Sequence, residues 1–133
     1  MSYRHPELPP IAMTRGDMEK LIRIADAAAG PFAQTGDFLA REIDRAQVIE
    51  EFESRPSLVR MGSRITFRDD VTDQVRVVTL VYPDEADVSQ GKISVLTPIG
   101  AALIGLSVSQ SIEWQTTDGG WRSLTVIGVD ATN

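Results

Sequence analysis

Side chains able to do chemistry are few in this chain, and they are scattered. Asp84, Glu85 and Asp87 put three carboxylates into one short loop between Pro83 and Gly91. Oxygen ligands at that density could hold a hard divalent cation, but such a site also needs a sharp glycine turn among its ligands and a further carboxylate at fixed spacing. Both are missing, so the segment reads as an acidic loop whose charge could pair with a basic partner. Arg64, Arg68 and Arg76 could line an anion-binding face on adjacent strands, although arginines alternating with apolar residues are more simply the wet face of a sheet. His5 is the single histidine and there is no cysteine, so neither a Ser-His-Asp triad, a histidine metal set nor a thiolate nucleophile can be assembled. No catalytic residue, no metal and no cofactor is expected.

The element that most plainly positions a surface is residues 92–106. Ile93 and Val95 alternate with Ser94 at the strand period, then Thr97 offers a side-chain oxygen to the free amides that open a helix. Pro98 takes the first helical position, where a missing N–H is no loss. Ile99, Ala102, Leu103 and Leu106 recur at helical spacing, and Gly105 suits the left-handed backbone that ends a helix. About two turns of helix cannot stand alone in water. This one must lie on the sheet to which its own strand belongs.

Upstream, Thr14 and Asp17 look like a helix start, and Met18, Leu21, Ile22, Ala25 and Ala28 form one apolar stripe that stops at Gly30-Pro31. A second helix is expected from Asp37, with Leu39, Ile43, Ala46 and Ile49 on its apolar side. Residues 14–54 therefore read as a short antiparallel helical hairpin (coiled coil), with arms of about 15 residues, or about 22 Å. Its apex holds Pro31, Phe32 and Gln34. Phe32 either anchors on a partner or folds back onto Phe38 or Leu39, and folding back is the simpler account. Ser54-Arg55-Pro56-Ser57 ends the helical pattern, and beyond it the period changes to two. Strands are expected over 63–68, 75–82, 111–116 and 121–129, the last two joined at Asp118-Gly119-Gly120. The fold class is α+β: the hairpin, then residues 55–133 as an antiparallel sheet of four to five strands with one short helix.

Residues 1–13, with three prolines among the first ten and no apolar run, read as a flexible N-terminal arm, neither a secretory signal nor a membrane span. The absence of cysteine fits a cytoplasmic protein. The net charge is −6 and evenly spread, with six basic and nine acidic side chains in residues 14–55 and again in 56–133. Neither part has the basic excess that phosphate-backbone binding draws on, so direct sequence-specific nucleic-acid binding is not expected and a basic protein partner fits better than an acidic one.

Several blocks together resemble a known family. Ile43-Asp44-Arg45-Ala46-Gln47, Ser63-Arg64-Ile65-Thr66-Phe67-Arg68, Thr79-Leu80-Val81-Tyr82-Pro83, Gly91-Lys92-Ile93-Ser94-Val95 and Pro98-Ile99-Gly100-Ala101-Ala102-Leu103-Ile104-Gly105-Leu106 are similar to the regulator of nucleoside diphosphate kinase (Rnk) family, itself related to the Gre transcript-cleavage factors. The resemblance implies a Gre-type, FKBP-like carboxy-terminal domain behind an amino-terminal coiled coil. It implies RNA polymerase as partner, with Leu96, Thr97, Pro98 and Ile99 at the rim of the secondary channel and the coiled coil entering the pore. Gre factors carry acidic residues at their coiled-coil tip that help to hold a catalytic magnesium, on helices roughly twice as long. The tip here, residues 29–36, has no carboxylate, so the expectation is a regulator that competes with Gre-type factors without stimulating transcript cleavage, and is not itself an enzyme. Two departures are Leu96, where Gre factors often have an acidic residue, and Ser109-Gln110, where relatives usually place Gly-Asp. The alternative reading, from the FKBP-like architecture, is a peptide-binding or prolyl isomerase module, and the few aromatics of residues 54–133 (Phe67, Tyr82, Trp114, Trp121) weigh against it.

Overall fold

In the computed structural model, which describes residues 8–116 and 118–131, Thr14 ends a three-residue strand β1 (Ala12–Thr14) and opens helix α1 (Arg15–Ala27). Its hydroxyl accepts from the Asp17 amide at 3.2 Å, the capping that the sequence predicts. A 3-10 turn at Gly30–Phe32 runs straight into α2 (Ala33–Arg45), so the second helix begins four residues before the expected Asp37. Gly36 lets the two helices approach: a Cβ there would lie 2.5 Å from that of Ala28. The second helix also ends early. Ala46 turns extended, and strand β2 (Gln47–Ile49) pairs in parallel with β1, so Ala46 and Ile49 are not on the helix's apolar side as expected.

The second sheet has the order β5-β4-β3-β7-β6, from β3 (Ser63–Asp69), β4 (Val75–Val81), β5 (Lys92–Ser94), β6 (Ser111–Gln115) and β7 (Trp121–Ala131), with α3 (Pro98–Leu103) lying across it. It is mixed rather than antiparallel throughout. β4 and β5 run parallel, because the ten residues between them, with two 3-10 turns, form a crossover rather than a hairpin. Between Thr66 and Phe67 the β3–β7 register skips Ile127, a bulge that adds to the curl of the sheet. On β3, Ile65 and Phe67 are buried and Arg64 and Arg68 exposed, as the alternation requires.

One expectation about the amino-terminal part, the flexible arm, does not hold for the residues that are described. Of the flexible arm over residues 1–13, residues 1–7, with His5, lie outside the described residues, but the rest is held. Ile11 and Met13 are buried at 4% and 2% exposure, Arg45 donates to the Pro9 carbonyl, and the Gln110 side chain donates to the Pro10 carbonyl at 2.8 Å. The hairpin packs directly on the sheet. Leu21, Leu39 and Ile43 share one apolar core with Val59, Phe67, Leu80 and the buried face of α3. Arg60 reaches from the sheet domain to Asp17 at 3.2 Å and to Glu51 at 2.9 Å, closing the junction with charge.

Candidate protein-docking face

Residues 96–99 form a rigid corner. The Thr97 hydroxyl donates to the Ser94 carbonyl at 2.7 Å and accepts from the Gly100 amide at 3.1 Å, while the Leu96 amide donates to the Ser94 hydroxyl at 2.9 Å. A Cβ at Gly100 would sit 2.2 Å from the Ser94 carbonyl oxygen, so glycine is what lets α3 start this close to β5. Gly105 closes the segment at φ +85°, the left-handed conformation expected of it. Pro98 is exposed, Thr97 and Ile99 are half-buried, and Leu96 packs partly against the core. Capping and close packing thus account for the identities of Thr97 and Gly100 independently of any partner.

A groove of about 630 Å³ separates α2 from the edge strand β6, and it brings two of the candidate sets together. Gln34, Phe38 and Arg41 form one wall, and Pro98, Glu113 and Trp114 the other. The rings of Phe38 and Trp114 are 6.3 Å apart. Pro31 and Phe32 stand outside the groove at the hairpin apex. Phe32 is 52% exposed, while Leu39 is fully buried in the core.

The three arginines do not share a face. Arg76 pairs in register with Phe67 and its guanidinium lies 5.8 Å from that ring, so it projects from the inner side of the sheet, whereas Arg64 and Arg68 lie on the outer side. Arg68 is tied to Asp70 at 2.9 Å, and Arg122 to Asp69 at 2.7 Å. Burial raises the pKa of both aspartates, but hydrogen bonds outweigh it and leave both carboxyls below their ordinary range: from the Val71 and Thr72 amides and Arg122 on Asp69, and from Ser123, Thr125 and Arg68 on Asp70. In the acidic loop Asp87 caps a 3-10 turn by accepting from the Ser89 amide at 3.1 Å and hydroxyl at 2.6 Å. Among the described residues no three carboxylates or imidazoles are grouped to hold a metal, and no helix is long and apolar enough to cross a membrane.

The family model for the Rnk N-terminus matches residues 9–49, and that for the carboxy-terminal part of the transcription elongation factors GreA/GreB matches residues 54–131. The chain belongs to the Rnk family of GreA/GreB-type factors. It is 36% identical over 122 residues to the regulator of nucleoside diphosphate kinase from Escherichia coli strain K12, covering 92% of this chain and 90% of that one. It is 41% identical over 85 residues to the elongation factor GreA of Roseiflexus castenholzii, 64% of this chain but 54% of that one. A solved GreA/GreB structure from Nitrosomonas europaea aligns with a TM-score of 0.70 at 34% identity, over 92% of this chain and 98% of that one. Membership places this Rnk-type chain among transcription regulators.

Sequence reasoning missed Trp114, Arg76 and Arg122 as neighbours of Pro98. Trp114 follows Ile112 by two residues and Arg122 precedes Leu124 by two, so each shares a face with a buried residue. That parity was the available signal.

Proposed function

We propose that the protein docks on RNA polymerase at the rim of the secondary channel through residues 96–99, competes there with Gre-type factors, and does not stimulate transcript cleavage. The observation that carries the reading is the hairpin apex: residues 28–36 are free of carboxylates, and Asp26 and Asp37 lie on the helices behind it. A divalent ion in a polymerase active site would find no anionic ligand there. The reach is short as well. Beyond the fully buried Leu21 and Leu39 each helix extends only six residues, to Ala27 and back to Ala33, or about 9 Å. Competition then comes from sharing the rim, not from filling the pore. A cytoplasmic location follows from such a partner.

Pull-down with core RNA polymerase, challenged by a Gre factor, together with a cleavage assay on stalled complexes, tests this. Binding displaced by the competitor, without cleavage, is the expected result. No binding, binding indifferent to the competitor, or cleavage would overturn it. An apolar bay beside α3, lined by Ile93, Pro98, Ile99 and Trp114, favours a second reading, a peptide-binding or prolyl isomerase module. Turnover of a short Xaa-Pro peptide would put that reading first.

A further inference from the structure

The inner face of the sheet continues past its core into a bay of about 330 Å³ beside the start of α3. Val78 on β4 and Leu124 on β7 are the last buried residues of their strands, and the next inward positions are Arg76 and Arg122. Ile93, Pro98, Ile99 and Trp114 line the bay together with these two arginines, and no residue lining it is a carboxylate. Asp69 holds one nitrogen of Arg122 from outside the bay, while among the described residues Arg76 has no ion-pair partner. With Arg122 already paired, Arg76 leaves the bay one inward cation without a carboxylate partner among the described residues, over an apolar floor, in a chain of net charge −6.

We propose that this bay is a socket for an acidic protein segment, which seats one apolar side chain on Trp114, Pro98 and Ile99 and sets a carboxylate against Arg76. It rests on the rim-docking reading in one respect, that the partner surface meeting residues 97–99 belongs to RNA polymerase. The charge of the bay names the chemistry of that surface, and it is the opposite of what the overall charge implies. Carboxylate pairing with a guanidinium fixes orientation, and the apolar side chain supplies the buried area.

The test measures fluorescence anisotropy of labelled twelve-residue peptides with the full chain: Glu/Asp-rich with a central Leu, the same with Gly for Leu, and Lys-rich with Leu, beside a single-stranded oligonucleotide. Core RNA polymerase pull-down is run with the same variants. The acidic Leu peptide should bind at least about tenfold tighter than the others, R76E should weaken it by about tenfold or more, and R76K should retain most of the binding. R64E makes the same charge change on the outer face and should leave binding unchanged, with thermal melts confirming that both variants fold. Equal losses in R64E and R76E, no loss in R76E, or preference for the basic peptide or the oligonucleotide would overturn the socket. If wild type binds polymerase and R76E does so equally, the socket falls and the docking reading stands. If acidic peptides bind through Arg76 but polymerase does not bind, only the polymerase reading falls. No binding of any peptide, with polymerase binding unaffected by R76E, also overturns the socket.

Discussion

Met13→Ala separates an arm from a core strand. In a loose arm the substitution would change stability by no more than about 0.5 kcal/mol, as at other surface positions. In the structure Met13 is 2% exposed and belongs to the core that joins the hairpin to the sheet. Three heavy atoms leave with the side chain; at about 0.8 kcal/mol each, the lost transfer term is roughly 2.4 kcal/mol. Leu21 and Ile43, which share this core, are held by α1 and α2, so the space collapses only in part, and the total becomes about 3 kcal/mol. For 133 residues the unfolding entropy near the midpoint is about 0.28 kcal/mol/K, so Tm should fall by roughly 11 °C. Urea titration followed by far-ultraviolet circular dichroism measures the change directly. A loss below about 0.5 kcal/mol at unchanged m-value would refute the placement of β1 in the core.

Ser109 holds φ +78° without being glycine, and its amide donates to the Val126 carbonyl at 2.8 Å, a bond that glycine would keep. Ser109→Gly should therefore stabilise by about 0.5–1 kcal/mol, with a higher Tm, since the relieved backbone strain exceeds the added freedom of the unfolded chain. Gly100→Ala should cost about 2–3 kcal/mol and weaken polymerase binding beyond what its melting curve explains, because α3 must move off β5 and take Pro98 with it. Asp69 and Asp70 have folded-state pKa values below their unfolded ones, so their contribution is complete above the ordinary value of 3.8 and is lost as pH falls through the lower folded value. Denaturation midpoints should drop as pH falls below about 5, and Asp70→Asn, at a cost of about 1 kcal/mol at pH 7, should flatten that slope.

Local chemistry was legible without coordinates. The caps at Thr14 and Thr97, Pro98 at the first turn of α3, the alternation of Ile65 and Phe67 with Arg64 and Arg68, and the break at Gly105 each depend on residues within a few positions of one another. Such signals are written in spacing, and the blocks that carry the family resemblance are of the same kind. What escaped was non-local. Ile11 and Met13 become core only because β1 meets β2 some 35 residues later, and a three-residue strand has too short a period to announce itself. β4–β5 runs parallel because of the crossover between them, whose proline and acidic residues look like any exposed turn.

The candidate site divides along the same line. The sequence by itself determined the corner at residues 96–99 and the apex free of carboxylates, because turn geometry and residue identity are properties of a short stretch. Tertiary structure decided how far the hairpin projects, which face Arg76 occupies, and that Trp114 and Arg122 stand beside Pro98. Face assignment follows the parity of strand pairing, and a slip of one residue would move every side chain of β4 to the other side of the sheet. Phe67 opposite Arg76 is the pairing that makes an inward-facing cation of a residue that looked like part of a wet outer face.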